Sequence, residues 1–136
     1  RYHILLEKYA KDLDIEAKLV AEMATTLFVP AAVEYQNQLG SALAAAKAAG
    51  VRASAQAALL RAVSGRVEAA LMGVDALQAA RAKADAIDDV SAKAAAYCED
   101  VKPHFEKVRT QVDELELLLP ANLWPVPKYR EMLFLM

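Results

Sequence analysis

With 136 residues the chain has room for one ordinary domain rather than two. Its hydrophobic fraction of 57% is inflated by 30 alanines, which favour helix and bury little area, so the composition asks for long helices packed closely through small side chains. A formal net charge of −2, from 16 basic and 18 acidic residues with no clustered basic face, speaks against a nucleic-acid partner, and no apolar run approaches the ~20 residues that span a bilayer.

The first helix is expected from Tyr2 to Ala49. Leu6, Tyr9, Leu13, Val20, Met23 and Leu27 recur three and four apart, the period of a buried helix face, with Glu16 in their midst. Pro30 removes a backbone donor and crowds the turn before it, which predicts a kink near Thr26 to Val29. The pattern resumes with Val33, Leu39 and Leu43 and stops at Gly50.

A second helix follows from Ser54, a plausible N-cap, to Ala84, with the stripe Leu60, Val63, Val67, Leu71, Val74 and Leu77. Gly65 and Gly73 lie inside it and read as tolerated rather than as marks of close approach. The stretch from Asp85 to Asp89 is the next turn, with Asp85 or Asp88 capping the third helix. That helix runs from Asp89 to Leu118 on the cleanest stripe of the chain: Val90, Ala94, Tyr97, Val101, Phe105, Val108, Val112, Leu115 and Leu119. Pro103 inside it predicts a bend, or a break and a new start. At 1.5 Å per residue the helices measure about 70, 45 and 45 Å. Short connections make neighbours antiparallel. The expected fold is all-α: an antiparallel bundle of three long helices over 1–119, kinked near Pro30 and Pro103, and a Pro/aromatic docking tail over 120–136.

Little of this carries chemistry. His3 with Glu7, and His104 with Asp100, are spaced to share a helix face, but each pair offers only two metal ligands and reads as a surface ion pair. Cys98, the single cysteine, excludes an intramolecular disulfide and fits a reducing, cytoplasmic setting. Its neighbours Glu99 and Asp100 disfavour a thiolate, so it reads as a partly buried structural residue. The acidic runs read as solvated faces. Glu16 stands apart, because a carboxylate within an apolar stripe either pairs with a base across the bundle or points at a partner. No glycine-rich phosphate loop is present. No catalytic, cofactor-binding or metal residue is assigned. The chain opens at Arg1, without methionine, in what already reads as helix; a fragment or processed chain is expected.

The tail reads as purposeful. Leu123, Trp124, Val126, Tyr129, Met132, Leu133, Phe134 and Leu135 are too apolar to stand in water, so they fold back on the bundle or dock on a surface outside this chain. Pro125 and Pro127 impose an extended stretch, after which Tyr129 to Leu135 forms a short helix or a docking strand.

A set of residues near both ends is recognisable. It comprises Arg1-Tyr2, Ile4-Leu5-Leu6-Glu7, Tyr9, Ile15-Glu16-Ala17, Met23-Ala24 and Pro30-Ala31-Ala32; then Tyr97, Asp100-Val101, Pro103, Arg109, Asp113 and Leu115-Glu116; and finally Trp124-Pro125-Val126-Pro127-Lys128-Tyr129 with Met132-Leu133-Phe134. In this order they resemble the C-terminal helical region of type III glutamine synthetases; His104 and Arg130-Glu131 depart from that pattern. The resemblance implies the end of a subunit that makes glutamine from glutamate, ammonia and ATP. It also implies that ATP and Mg or Mn are held elsewhere, in a strand-rich catalytic domain, within a large homo-oligomer. This chain would then be non-catalytic, with that domain or neighbouring subunits as partners, neither nucleic acid nor membrane, and Trp124, Pro125, Pro127, Tyr129, Met132, Leu133 and Phe134 as its docking residues. The competing expectation is a stand-alone helical interaction module whose apolar tail needs a partner.

Overall fold

The two internal prolines show how the chain reconciles long helices with missing donors. A computed structural model describes residues 1–128, and these are helical apart from short connections and the stretch after residue 118, with no strand among them. Helix α1 (Tyr2–Met23) passes through a π-turn (Ala24–Phe28) into α2 (Val29–Ala49). Helix α3 spans Ser54–Asp85. Helix α4 (Val90–Ala96) passes through a second π-turn (Tyr97–Val101) into α5 (Lys102–Leu118). Each π-turn ends two residues before a proline, Pro30 or Pro103. The proline ring would strike the carbonyl four residues back, Thr26 or Glu99, and the wider π-turn moves that carbonyl aside. At the first π-turn, the Thr25 hydroxyl donates to the Ala21 carbonyl at 3.0 Å and the Thr26 hydroxyl to the Glu22 carbonyl at 2.7 Å. The helix is therefore not broken at Pro103; it widens and continues.

The ends are capped by backbone and side chain in turn. Gly50 takes φ 67°, and the Gly50 and Val51 amides donate to the Lys47 and Ala46 carbonyls, which closes α2. Ser54 is not the cap of α3: Ala53 holds that position and Ser54 is the first helical residue. The cap of α4 is Asp89, whose carboxylate accepts from the Ala92 amide at 2.9 Å, rather than Asp85 or Asp88.

Cross-links give the directions. Asp14 meets Arg81 and Gln36 meets Ser64, so the first run and α3 are antiparallel. Arg66 meets Gln111, and Asp85 meets Tyr97, so α3 and the third run, from α4 through the second π-turn to α5, are antiparallel as well.

Two apolar clusters lie along the helices. One joins the alanines of α1 to Val74, Leu77, Tyr97, Val101 and Val108; the other joins Phe28, Leu39, Val63, Val67 and Leu115 to Leu119 and Trp124. The buried side of α1 is Ala10, Leu13, Ala17 and Ala21. Of the expected stripe on this helix, Leu13 is buried, Leu6, Val20 and Met23 are half-buried, and Tyr9 is exposed. Small side chains let α1 approach its neighbours, and the large ones are rotated out of the tightest contact. Gly73 serves the same end in α3, because a Cβ there would meet Val108 Cγ2 at 3.2 Å. Gly73 thus marks a close approach, whereas Gly65 faces open space.

Candidate functional site

The start of the tail folds onto the chain's own helices. After α5, Leu119 turns to extended backbone, and the Trp124 amide reaches back to the Pro120 and Ala121 carbonyls. This brings the Trp124 indole over Phe28, with ring centroids 4.8 Å apart and planes 21° from parallel. Trp124 is 6% exposed, and its indole N–H has no acceptor among the described residues. Val126 is half-buried against the same cluster, while Pro125 and Pro127 are exposed. The Lys128 ammonium donates to the Leu119 carbonyl. Tyr129, Met132, Leu133 and Phe134 lie outside the described residues, as does the expected short helix or strand from Tyr129 to Leu135.

The main polar junction was not foreseen from the sequence. Asp14, one turn beyond Ala10 and one turn before Ala17, turns toward α3 and the third run. Its Oδ1 accepts from Arg81 Nε at 2.8 Å and from the Tyr97 hydroxyl at 3.0 Å, and the same hydroxyl bonds the Asp85 carboxylate. Burial pushes the Tyr97 phenol far above its usual value, and its bonds to the carboxylates of Asp85 and Asp14 push it further. Burial alone would raise the Asp14 carboxyl as well. The hydrogen bonds from Arg81 and Tyr97, with the charges of Arg81 and Lys18, outweigh that and hold it below the ordinary carboxylate value. The junction borders a cleft of about 400 Å³ lined also by Glu7, Lys11, Asp88 and Lys93. A phenol held protonated, an ionised carboxylate and a paired guanidinium fasten helices together. The signal was available in part, since Asp14 shares the small-residue side of α1.

The other candidates stay apart. Glu16 is exposed and forms no ion pair among the described residues, so of its two readings the pairing across the bundle is not made among them. Cys98 is exposed, against the expectation of partial burial, because it follows Tyr97 on the outward side of the π-turn. His3 is exposed, and His104 borders a shallow cleft of about 380 Å³ with Asp100 and Lys83. Among the described residues no three metal-ligating side chains converge. No described helix is long and apolar enough to cross a membrane.

Comparison with known proteins gives this helical architecture a relation. Residues 1–47 match the family model described as the glutamine synthetase C-terminal domain. Over 98% of its length the chain is 35% identical to a glutamine synthetase of Bacteroides fragilis (strain YCH46). The chain is similar to part of these glutamine synthetases. A type-3 glutamine synthetase of Dictyostelium discoideum is 28% identical over 99% of the chain, and a glutamine synthetase of Butyrivibrio fibrisolvens 26% over 98%. In each case the chain spans 19% of the relative's length, about a fifth of a glutamine synthetase. The family match falls on α1, the first π-turn and most of α2, where the resemblance of the opening residues also lies.

Proposed function

We propose that this chain is the C-terminal helical domain of a type III glutamine synthetase subunit, and that its own role is structural. The carrying observation is the 35% identity to a glutamine synthetase sustained over 98% of the chain. In this reading the parent enzyme, a cytoplasmic homo-oligomer, joins ammonia to glutamate with ATP, using Mg or Mn held by a separate catalytic domain. The helices form an up-down-up bundle of three long members bent at their prolines, and the bundle packs on that catalytic domain or on a neighbouring subunit. Trp124 ties the start of the tail to the bundle through Phe28, and the tail that it positions, on to Phe134, anchors the bundle to that surface. The satisfied junction of Asp14, Arg81 and Tyr97 supports a fastening rather than a catalytic role.

The test is expression of the complete reading frame that contains these residues, with assays of ATP-dependent glutamine formation and of particle size. An oligomer that forms glutamine, and that falls apart or loses thermal stability in a Trp124→Ala, Phe134→Ala double variant, is the expected outcome. A short reading frame without the activity would leave a stand-alone helical module instead. An enzyme indifferent to the double variant would remove the anchor role.

A further inference from the structure

Helix α1 is built the wrong way round for a helix with one partner. Its tight contacts are made by Ala10, Ala17 and Ala21, while Ile4, Leu5, Ile15 and Leu19 are between 54% and 68% exposed. At 3.6 residues per turn these four fall on one side of the helix, opposite the alanines. Lys8 and Asp12 share that side and neutralise each other across 2.7 Å, so the patch carries no net charge. Lys11 and Lys18 border it on one flank and Glu16 on the other, all exposed. An apolar centre with a polar rim is the anatomy of a contact surface. The exposed Leu71, Met72 and Leu117 are scattered on other helices and need no such explanation.

We infer that this outer face of α1 is the seat of the polypeptide that precedes this domain in a glutamine synthetase subunit. The inference rests on the functional reading above and names the contacting surface within it. Two observations favour that occupant. First, eight of the twelve large apolar side chains exposed among the described residues lie within 1–47, the segment that matches the glutamine synthetase C-terminal domain. Second, some four-fifths of each relative lies outside the aligned portion, so on the functional reading above most of the subunit is polypeptide that this face can meet. Glu16 then belongs to the rim of a contact instead of to an internal ion pair.

The experiment uses the full-length protein. Cysteine is placed at Leu19, and in a second variant at Leu117, and alkylation by N-ethylmaleimide is followed residue by residue by mass spectrometry. A benzophenone amino acid at position 19 then identifies what lies against it. The expected result is alkylation at position 19 about tenfold slower than at 117, with cross-links from position 19 to peptides preceding this domain. Equal alkylation rates would overturn the inference, as would cross-links solely to a second copy of this helical domain. Glutamine formation by the same preparation keeps the two readings distinguishable. An active enzyme with equal rates refutes only the α1 surface. An inactive short protein refutes the parent reading, and the α1 surface with it.

Discussion

Helix α1 and the run from α4 to α5 each present an apolar side and have opposite designs. In the third run the large residues read from the sequence are those that pack: Tyr97, Val101, Val108 and Leu115 are buried, with Phe105 and Val112 half-buried beside them. In α1 alanines take the tight contacts, and several large residues face outward. A helix that packs through large side chains stands off from its neighbours and announces its inner face by periodicity. A helix that packs through alanine comes close, and periodicity alone does not tell its inner side from a second, outer apolar side.

The contrast can be broken at its strongest points first. Trp124→Ala removes the indole stacked on Phe28 and is expected to cost about 3–5 kcal/mol, read by chemical denaturation. Leu115→Ala in the third run is expected to cost about 2–5 kcal/mol, whereas Ile15→Ala on the outer side of α1 should stay within about 0.5 kcal/mol in this chain by itself. Comparable losses at positions 115 and 15 would erase the distinction between the two helices.

The junction of Asp14, Arg81 and Tyr97 sharpens the comparison, because it is where α1 uses a polar contact in place of large apolar ones. Tyr97→Phe is expected to cost about 1–2 kcal/mol, since two carboxylates lose a shared donor. The Asp14 carboxyl lies below its ordinary value of 3.8 in the folded chain. Its stabilising contribution is therefore complete above that pH and fades as pH falls through the lower folded value. The stability gap between the native chain and Asp14→Asn, followed by thermal unfolding from neutral pH downward, should close only below about pH 4. A gap that stayed constant through that range would mean Asp14 acts by shape alone.

The smallest effect concerns the approach of α3 to α5. Gly65→Ala should stabilise by up to about 1 kcal/mol, because alanine favours helix and the added carbon meets nothing. Gly73→Ala should show no such gain, since its carbon presses on the fully buried Val108. Equal gains at both positions would show that the helices can move apart freely.

The helix boundaries were legible nearly to the residue, because Gly50, the stretch from Asp85 to Asp89 and the scarcity of breakers leave few alternatives. The site was far less so. Asp14 is one of several acidic residues near the start of the chain, and its place on the small-residue side of α1 does not by itself tell that it meets a base and a phenol. What distinguishes it is Arg81 and Tyr97, which lie 67 and 83 residues away. Cys98 and Gly73 were misread for a related reason. The π-turn at Tyr97–Val101 shifts the register by a fraction of a turn, and the approach of Val108 to Gly73 depends on how close two helices come.

By itself the sequence determined that this chain is helical, where its helices start and stop, and that it resembles the end of a type III glutamine synthetase. Those properties rest on propensity, punctuation and residue order, all local along the chain. Tertiary structure alone decided which side of α1 turns inward, which carboxylate meets a base and a phenol, and that Trp124 closes over Phe28. Each of these depends on the distance between helices, and in an alanine-rich chain that distance is set by which small side chains meet rather than by where the large ones recur.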